Sequence, residues 1–396
     1  MAKKKILYIH HGIGLGGAPL SLLYLIENLD KSKYYPVVLF LHDSEVVDLY
    51  KSKGIDVVGP INVGDFSHTK VWWYKWYHPH HLFMAIWDTF KTIRSVADNW
   101  LKEIKPDIVH LNTSTLIGWG KVAHKKGIPV VWHIREPLAP GYFGLRRRIV
   151  QKFVEKYATI IMPICKNDAK PWKGNPKVYV VYNAVDPKLF DANLEPFKIV
   201  GSEKNPKVLF LGGLSKEKGT LVLFKVFKKV LKILPNAKLL VAGYFDNKEK
   251  SRWTLDYYLP TERFKRKVNK VLNKIKGSVL FLGPIRNVPQ VMAASDVVVF
   301  PATVGHFARP IIEAGFMKKT VMASKLSPLE ELIDNNKTGF LVDFKNLNLW
   351  EKKLSLLLMN DSLRRQMGEV GFVFSKKKFD ISDQIKKIQK AYEKLE

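Results

Sequence analysis

Cysteine is almost missing: Cys165 is the only one in 396 residues, which excludes an intrachain disulfide and fits a reducing compartment. Its setting, Ile161-Met-Pro-Ile-Cys165, points to a buried strand end more than to a nucleophile. Acidic residues are scarce as well, 36 Asp plus Glu against 65 Lys plus Arg, for a formal net charge of +29. No run approaches the roughly 20 apolar residues that span a bilayer. The segment Met1-Ala-Lys-Lys-Lys-Ile-Leu-Tyr-Ile-His10 passes from charge straight into a short strand-like stretch, so neither a signal peptide nor a membrane anchor is expected. No Asp-x-Asp pair occurs, and His78, His80 and His81 do not have a metal-ligand spacing, so metal-free chemistry without a cofactor is expected.

The excess of positive charge raises nucleic acid as a partner, yet the cations sit on solvent faces of helices. In Thr261–Lys276, Phe264, Val268, Val271, Leu272 and Ile275 form one apolar stripe and the lysines lie outside it. No readout motif accompanies the charge, so no nucleic-acid partner is expected. The net charge favours approach to anionic lipid headgroups, where each basic residue contributes on the order of 1 kcal/mol.

At this length two domains are expected. Apolar β-rich runs occur at Ile6–His10, Val37–Leu41, Ile55–Val58, Ile108–Leu111, Val130–His133, Ile160–Ile164 and Val178–Val181, with helical patterns such as Pro19–Leu29 and Leu145–Ala158 between them. The scheme repeats at Val208–Phe210, Lys238–Ala242, Val279–Leu282, Val297–Phe300, Thr320–Ala323 and Phe340–Val342. Such runs alternating with amphipathic helices predict two doubly wound α/β domains with parallel sheets. Boundaries follow at 1–186 and 207–379, with Pro187–Pro206 as the linker. A cleft at the carboxyl ends of both sheets is the expected site.

Three segments carry candidate chemistry. Phe300-Pro-Ala-Thr-Val-Gly-His-Phe-Ala-Arg-Pro-Ile-Ile-Glu313 reads as a strand end, a polar turn and a helix starting near Pro310. It gathers backbone amides, a positive dipole end and Arg309 around one point, which suits a phosphorylated ligand. Glu313 is better placed to accept hydrogen bonds from sugar hydroxyls, because a carboxylate repels phosphate. A loop that only turns the chain is the plainer alternative. His11-Gly-Ile-Gly-Leu-Gly-Gly-Ala-Pro19 holds a formal Gly12-x-Gly14-x-x-Gly17 match after a strand and before a helix, so an NAD-dependent oxidoreductase must be weighed. Asp43 comes late for the acidic residue that reading needs. Trp132-His-Ile-Arg-Glu136 ends an apolar strand; His133 can donate or accept near neutral pH, and Arg135 with Glu136 can orient it or hold a polar substrate.

Together these segments resemble the retaining glycosyltransferase family 4. Phe307, Arg309, Pro310, Glu313 and Ala314 fit the family's second-domain signature, although Gly305 stands where its first Glu is usual. Phe210-Leu-Gly-Gly-Leu-Ser-Lys-Glu-Lys-Gly219 is similar to the family's Gly-Arg-Leu-x-x-x-Lys-Gly, with Lys218 in place and Gly213 where Arg is common. Val279–Ile285, Thr320–Val342 and Tyr182-Asn-Ala-Val-Asp186 also match. The resemblance implies a GT-B fold, with the last helix, about 380–396, packing back on the first domain. It implies a metal-independent, hexosyltransferase-type enzyme that moves a sugar with retention from a nucleotide-diphosphate sugar to a glycan or lipid-linked acceptor, in surface polysaccharide or glycolipid synthesis. His133, Lys218 and Glu313 would carry catalysis. Gly16, Gly17, Arg135, Glu136, Asn183, Gly213, Ile285, Phe307, Ala308, Arg309, Pro310 and Ile311 would line the donor with them. Lys218, Arg309 and amides near Ala308–Ile311 would hold charge developing on the diphosphate, with Arg309 compensating for the Arg missing at Gly213. A sugar-nucleotide epimerase shares this architecture, but its acid and base groups are not identifiable here.

Val71–Trp87 interleaves aromatics with Lys75 and histidines. Trp72, Trp73, Trp76 and Tyr77 could dock in a headgroup region or shape an acceptor groove; packing in the core is the alternative. A cytoplasmic enzyme peripheral to the inner membrane face is the expectation.

Overall fold

A computed structural model describes residues 3–64 except 13 and 15, 79–199, 204–250 except 249, and 258–395. Trp72, Trp73, Trp76 and Tyr77 lie outside the described residues. The chain divides into two compact units, Met1–Ala184 with Ile381–Glu396, and Val185–Asp380.

In the first unit, β1 (Lys4–His10), β2 (Tyr34–Phe40), β3 (Asp56–Val58), β4 (Ile108–Leu111), β5 (Val130–Ile134) and β6 (Ile160–Pro163) form one sheet in the order β3-β2-β1-β4-β5-β6. Every pairing is parallel, with Ile9 opposite Leu111 and Leu111 opposite Trp132. Successive residues feed opposite faces: Ile6 and Tyr8 join one core, Leu7 and Ile9 the other. This burial on both faces is why these strands read as unbroken apolar runs. The helix Ile381–Glu393 places Ile381, Ile385, Ile388 and Tyr392 in the first of those cores.

The predicted strand Val178–Val181 is not formed. The segment runs beside β6, with Ile161 N–H bonded to Lys177 O, Tyr179 N–H to Ile161 O and Val181 N–H to Pro163 O, yet only one bridge, Ile161 to Val178, results. Pro163 has no N–H to return the next bond, so the ladder stops.

The second unit repeats the plan. Its strands are β7 (Lys207–Phe210), β8 (Lys238–Ala242), β9 (Val279–Gly283), β10 (Val297–Phe300), β11 (Thr320–Ser324) and β12 (Gly339–Val342), in the order β12-β11-β10-β7-β8-β9. Counted from its own first strand, this is the order of the first sheet. The crossover point therefore falls between β1 and β4 in one unit and between β7 and β10 in the other, where ligands of such sheets bind. The predicted helix of the basic segment is Pro260–Leu272, with Val268 and Leu272 buried. Among the described residues no helix is long and apolar enough to cross a membrane.

Candidate functional site

Both crossover points carry the candidate side chains, and each site is built differently. In the first unit His10 ends β1, His110 lies in β4 and His133 in β5; all are buried. His133 Nδ1 lies 3.1 Å from His110 Nε2, and His110 Nδ1 lies 2.6 Å from the Tyr392 hydroxyl. Burial, followed by the nearby Arg135 guanidinium, holds His110 and His133 well below the ordinary imidazole pKa. For His10 the causes are burial, then His11, then Arg135. All three are neutral at pH 7.

Arg135 is itself buried. Its Nε donates to Asn112 Oδ1 at 2.6 Å and its terminal nitrogen to Asn183 Oδ1 at 2.7 Å, which draws Asn183 into the same site. Glu136 Oε1 accepts from Thr113 Oγ1 at 2.7 Å and Ser114 Oγ at 3.2 Å. His133 is hydrogen-bonded to His110, while Arg135 and Glu136 fasten the polar loop after β4. Asn112 reaches across to Ala18 O at 3.4 Å, behind the glycine loop. Gly16 caps the helix Gly17–Glu27 with no side-chain bond, and a Cβ built on it meets nothing within 4 Å. No neighbour demands glycine at Gly16, and the space above it is open to a ligand. The buried loop residues Asn112, Thr113 and Ser114 were missed in the sequence, although they follow an apolar strand as the residues after His133 do.

In the second unit the loop after β7 lies against the turn after β10. Thr303 N–H donates to Glu217 O at 2.8 Å, and Thr303 Oγ1 to Lys216 O at 2.9 Å. This brings Lys218 to the turn that carries Gly305 to Ile311. Burial lowers the pKa of the Lys218 ammonium, which has no ion-pair partner among the described residues. His306, half-buried and 2.9 Å from Val304 O through Nδ1, is pushed down to about 4 by desolvation, with Lys218 adding to the shift against the opposing backbone bond.

The helix runs Arg309–Phe316, so Glu313 sits one turn inside it and not in its first turn. Arg309 Nε and a terminal guanidinium nitrogen both reach Glu313 Oε1 at 2.9 Å, a buried pair four residues apart. Arg309 is therefore tied to Glu313, and Glu313 Oε2 makes no hydrogen bond among the described residues. The expected run of amides also shortens: Pro310 has no N–H, and Ile311 gives its own to Ala308 O at 3.1 Å. Phe307 stacks edge-on to Phe379 at 6.4 Å. Ile285 follows β9, the edge strand, and stands apart from the others by the width of β8.

Two departures from the family pattern have a steric cause. A Cβ at Gly213, where φ is +58°, would sit 2.3 Å from Tyr244 O; one at Gly305 would sit 1.9 Å from Ser327 O. The backbone itself fills the place of a side chain at both positions. Among the described residues no three His, Cys, Asp or Glu side chains gather as metal ligands.

Comparison with known proteins covers both units. Residues 15–189 match the model of Glycosyltransferase Family 4, and residues 191–373 that of Glycosyl transferases group 1. An uncharacterized glycosyltransferase of Methanocaldococcus jannaschii is 30% identical over 179 residues, 43% of this chain and 42% of that protein. The UDP-Gal:alpha-D-GlcNAc-diphosphoundecaprenol alpha-1,3-galactosyltransferase of Escherichia coli is 25% identical over 270 residues, 63% of this chain and 65% of that one. The matches thus span less than two thirds of either relative. The crystal structure of Anabaena HepE in complex with UDP and glucose is similar in fold, with a TM-score of 0.75, 18% identity and coverage of 98% of this chain and 99% of that one.

Proposed function

We infer that this chain, which belongs to the group 1 and family 4 glycosyltransferases of GT-B fold, transfers a sugar from a nucleotide-diphosphate sugar to a glycan or lipid-linked acceptor. The observation that carries the donor assignment is the half-buried, partly desolvated Lys218 ammonium, without a counter-ion among the described residues, at the crossover point of the second sheet. Burial penalises a lone cation. An arriving diphosphate relieves that penalty, and does so most when the sugar–phosphate bond breaks and charge accumulates on the leaving group.

Arg309 and Glu313 divide the remaining work. The guanidinium fixes Oε1 of Glu313, so that Oε2 is presented to the ribose hydroxyls as an acceptor in a fixed direction. Similarity to HepE, whose structure holds UDP and glucose, supports a nucleotide of this type. The site of the first unit, with neutral His133, Asn112 and the Arg135 guanidinium, suits a hydroxyl-rich partner. Retention of configuration, hexosyl transfer and independence from a metal belong to this proposal, as does a role in surface polysaccharide or glycolipid synthesis, in keeping with the E. coli relative that acts on a diphosphoundecaprenol-linked sugar.

The deciding measurement is nucleotide release from a panel of sugar nucleotides, with and without a lipid-linked acceptor, in buffer with and without a chelator. Acceptor-dependent release with one donor, unchanged by the chelator, is expected. No release from any donor would remove the assignment, and full dependence on added Mg²⁺ or Mn²⁺ would remove the metal-free part.

A further inference from the structure

His133 is the end of a chain of four buried side chains, all in the first unit. The Tyr8 and Tyr392 hydroxyls are 3.0 Å apart, Tyr392 lies 2.6 Å from His110 Nδ1, and His110 Nε2 lies 3.1 Å from His133 Nδ1. Tyr8, Tyr392 and His110 are wholly buried and His133 is 2% exposed. His133 Nε2, the free end, is buried with no hydrogen-bond partner among the described residues.

A neutral imidazole has one N–H and one bare nitrogen, so the bond made at one nitrogen fixes the state of the other. A head-to-tail chain of neutral groups can then run in two directions. In the first, Tyr8 O–H donates to Tyr392, Tyr392 O–H to His110 Nδ1 and His110 Nε2–H to His133 Nδ1. His133 then ends in an Nε2–H. In the second every bond reverses, His133 ends in a bare Nε2, and Tyr8 O–H is left without an acceptor.

The two ends are not equivalent. Tyr8 makes no other hydrogen bond among the described residues and belongs to the same buried core as Ile6, Leu22, Tyr34 and Ile388, where no ligand arrives to accept from it. A buried donor without a partner costs roughly 1–3 kcal/mol. At the His133 end, an Nε2–H also lacks a partner in the free protein, but there ligand binding supplies its acceptor, so the first direction is favoured in the liganded protein. Mixed directions leave one more donor or one more bond unmade.

We propose that Tyr392 and His110 are positioning residues that hold His133 in its Nε2–H tautomer, so that His133 meets its ligand as a hydrogen-bond donor to an acceptor-only oxygen, a phosphoryl or sugar ether oxygen, and not as a base. The ligand half of this statement rests on the reading of His133 as facing bound sugar nucleotide. Burial raises the pKa of both tyrosines, which keeps them protonated and able to donate. The C-terminal helix thereby reaches the candidate site through one hydroxyl.

Long-range 1H–15N spectra of the full chain labelled at histidine test it, with His110 and His133 assigned by His→Gln variants. With UDP-glucose bound, protonated Nε2 and bare Nδ1 are expected at both histidines. In Tyr392→Phe the His133 signal should become a mixture of tautomers, and kcat should fall about 10-fold with KM for the donor little changed, less than the 10²–10³ typical of deleting a positioned donor outright. Tyr50→Phe, which loses a buried hydroxyl bonded to Pro19 O at 2.6 Å outside the chain, should leave the tautomer as it is. A wild-type His133 protonated at Nδ1, or a tautomer indifferent to Tyr392→Phe, would overturn the relay, and the wild-type spectrum decides the first point even if that variant does not fold. A protein that binds and transfers no sugar nucleotide would overturn the ligand role together with the direction of the relay.

Discussion

At the crossover point of the first sheet stand His10, His110 and His133, neutral and joined in part by a hydrogen-bonded chain, with Arg135 held between two asparagine amides. At the same place in the second sheet stand Lys218, without a counter-ion among the described residues, and the buried pair of Arg309 and Glu313. The strand order is the same in both. What differs is which charges the loops supply. One scaffold has been furnished once with neutral imidazoles around an amide-held guanidinium and once with a lysine beside an ion pair, and the chemistry is legible only at the loops.

The sharpest way to break this contrast is at the ion pair. Glu313→Ala leaves a buried guanidinium uncompensated and should destabilise the protein by about 3–5 kcal/mol, so activity lost in that variant reports on folding as well as on the site. Replacing both partners, Arg309→Met with Glu313→Leu, should restore most of that stability in denaturant melts while transfer stays low. Full stability in Glu313→Ala would show that the pair does not form.

Next in size is Lys218. Lys218→Ala should lower kcat by about 10²–10³ and leave thermal stability level or slightly raised, because it removes a cation that burial already penalises. Wild-type turnover in a folded variant would take the anion role from the second unit and erase the contrast.

How much of this the sequence carried depends on the range of each interaction. Strands such as Val297-Val-Val-Phe300 and Ile108-Val-His-Leu111 were legible because burial on both faces writes itself as a continuous apolar run. Val178–Val181 looked the same and failed because of Pro163 on the neighbouring strand, a partner no local pattern contains. The spacing of Arg309 and Glu313, four apart on one helix, was a visible pair signal; assigning each to a ligand hid it. His133 was found from its strand end, whereas its partner His110 and then Tyr392, separated by 282 residues from His110, meet only through the fold.

Acid should separate the units more gently. His10, His110 and His133 have folded pKa values below the unfolded value of about 6.5, so between the two the unfolded chain binds more protons. Their contribution is complete above about pH 6.5 and is lost as pH falls below it, at up to about 1.4 kcal/mol per pH unit for each histidine that stays neutral. The second unit has His306, with a folded value of about 4, for the same window. Hydrogen exchange followed from pH 7.5 to 5 should therefore show core amides of β1, β4 and β5 losing protection before those of β7 and β10. Simultaneous loss, or earlier loss in the second unit, would contradict the neutral histidine site.

The smallest effect on stability is expected at the helix Pro79–Lys91 of the first unit, which exposes Phe83, Met84, Ile86, Trp87 and Phe90, each more than half accessible. Five apolar side chains on one short helix exceed what a soluble surface ordinarily shows in one place, and the net charge of +29 provides attraction to an anionic bilayer. We propose this face as the part of the first unit that approaches lipid. Because exposed side chains contribute little to the folded core, Trp87→Ser with Phe90→Ser should change stability by about 0.5 kcal/mol or less at each position. Cosedimentation with anionic liposomes should weaken in that variant and stay strong in Lys218→Ala, since one change removes the apolar contact and the other a half-buried charge in the second unit. Lipid binding that falls only when salt is raised, and is indifferent to the aromatic substitutions, would leave charge alone to bring the protein to a membrane and would end any special role for this helix.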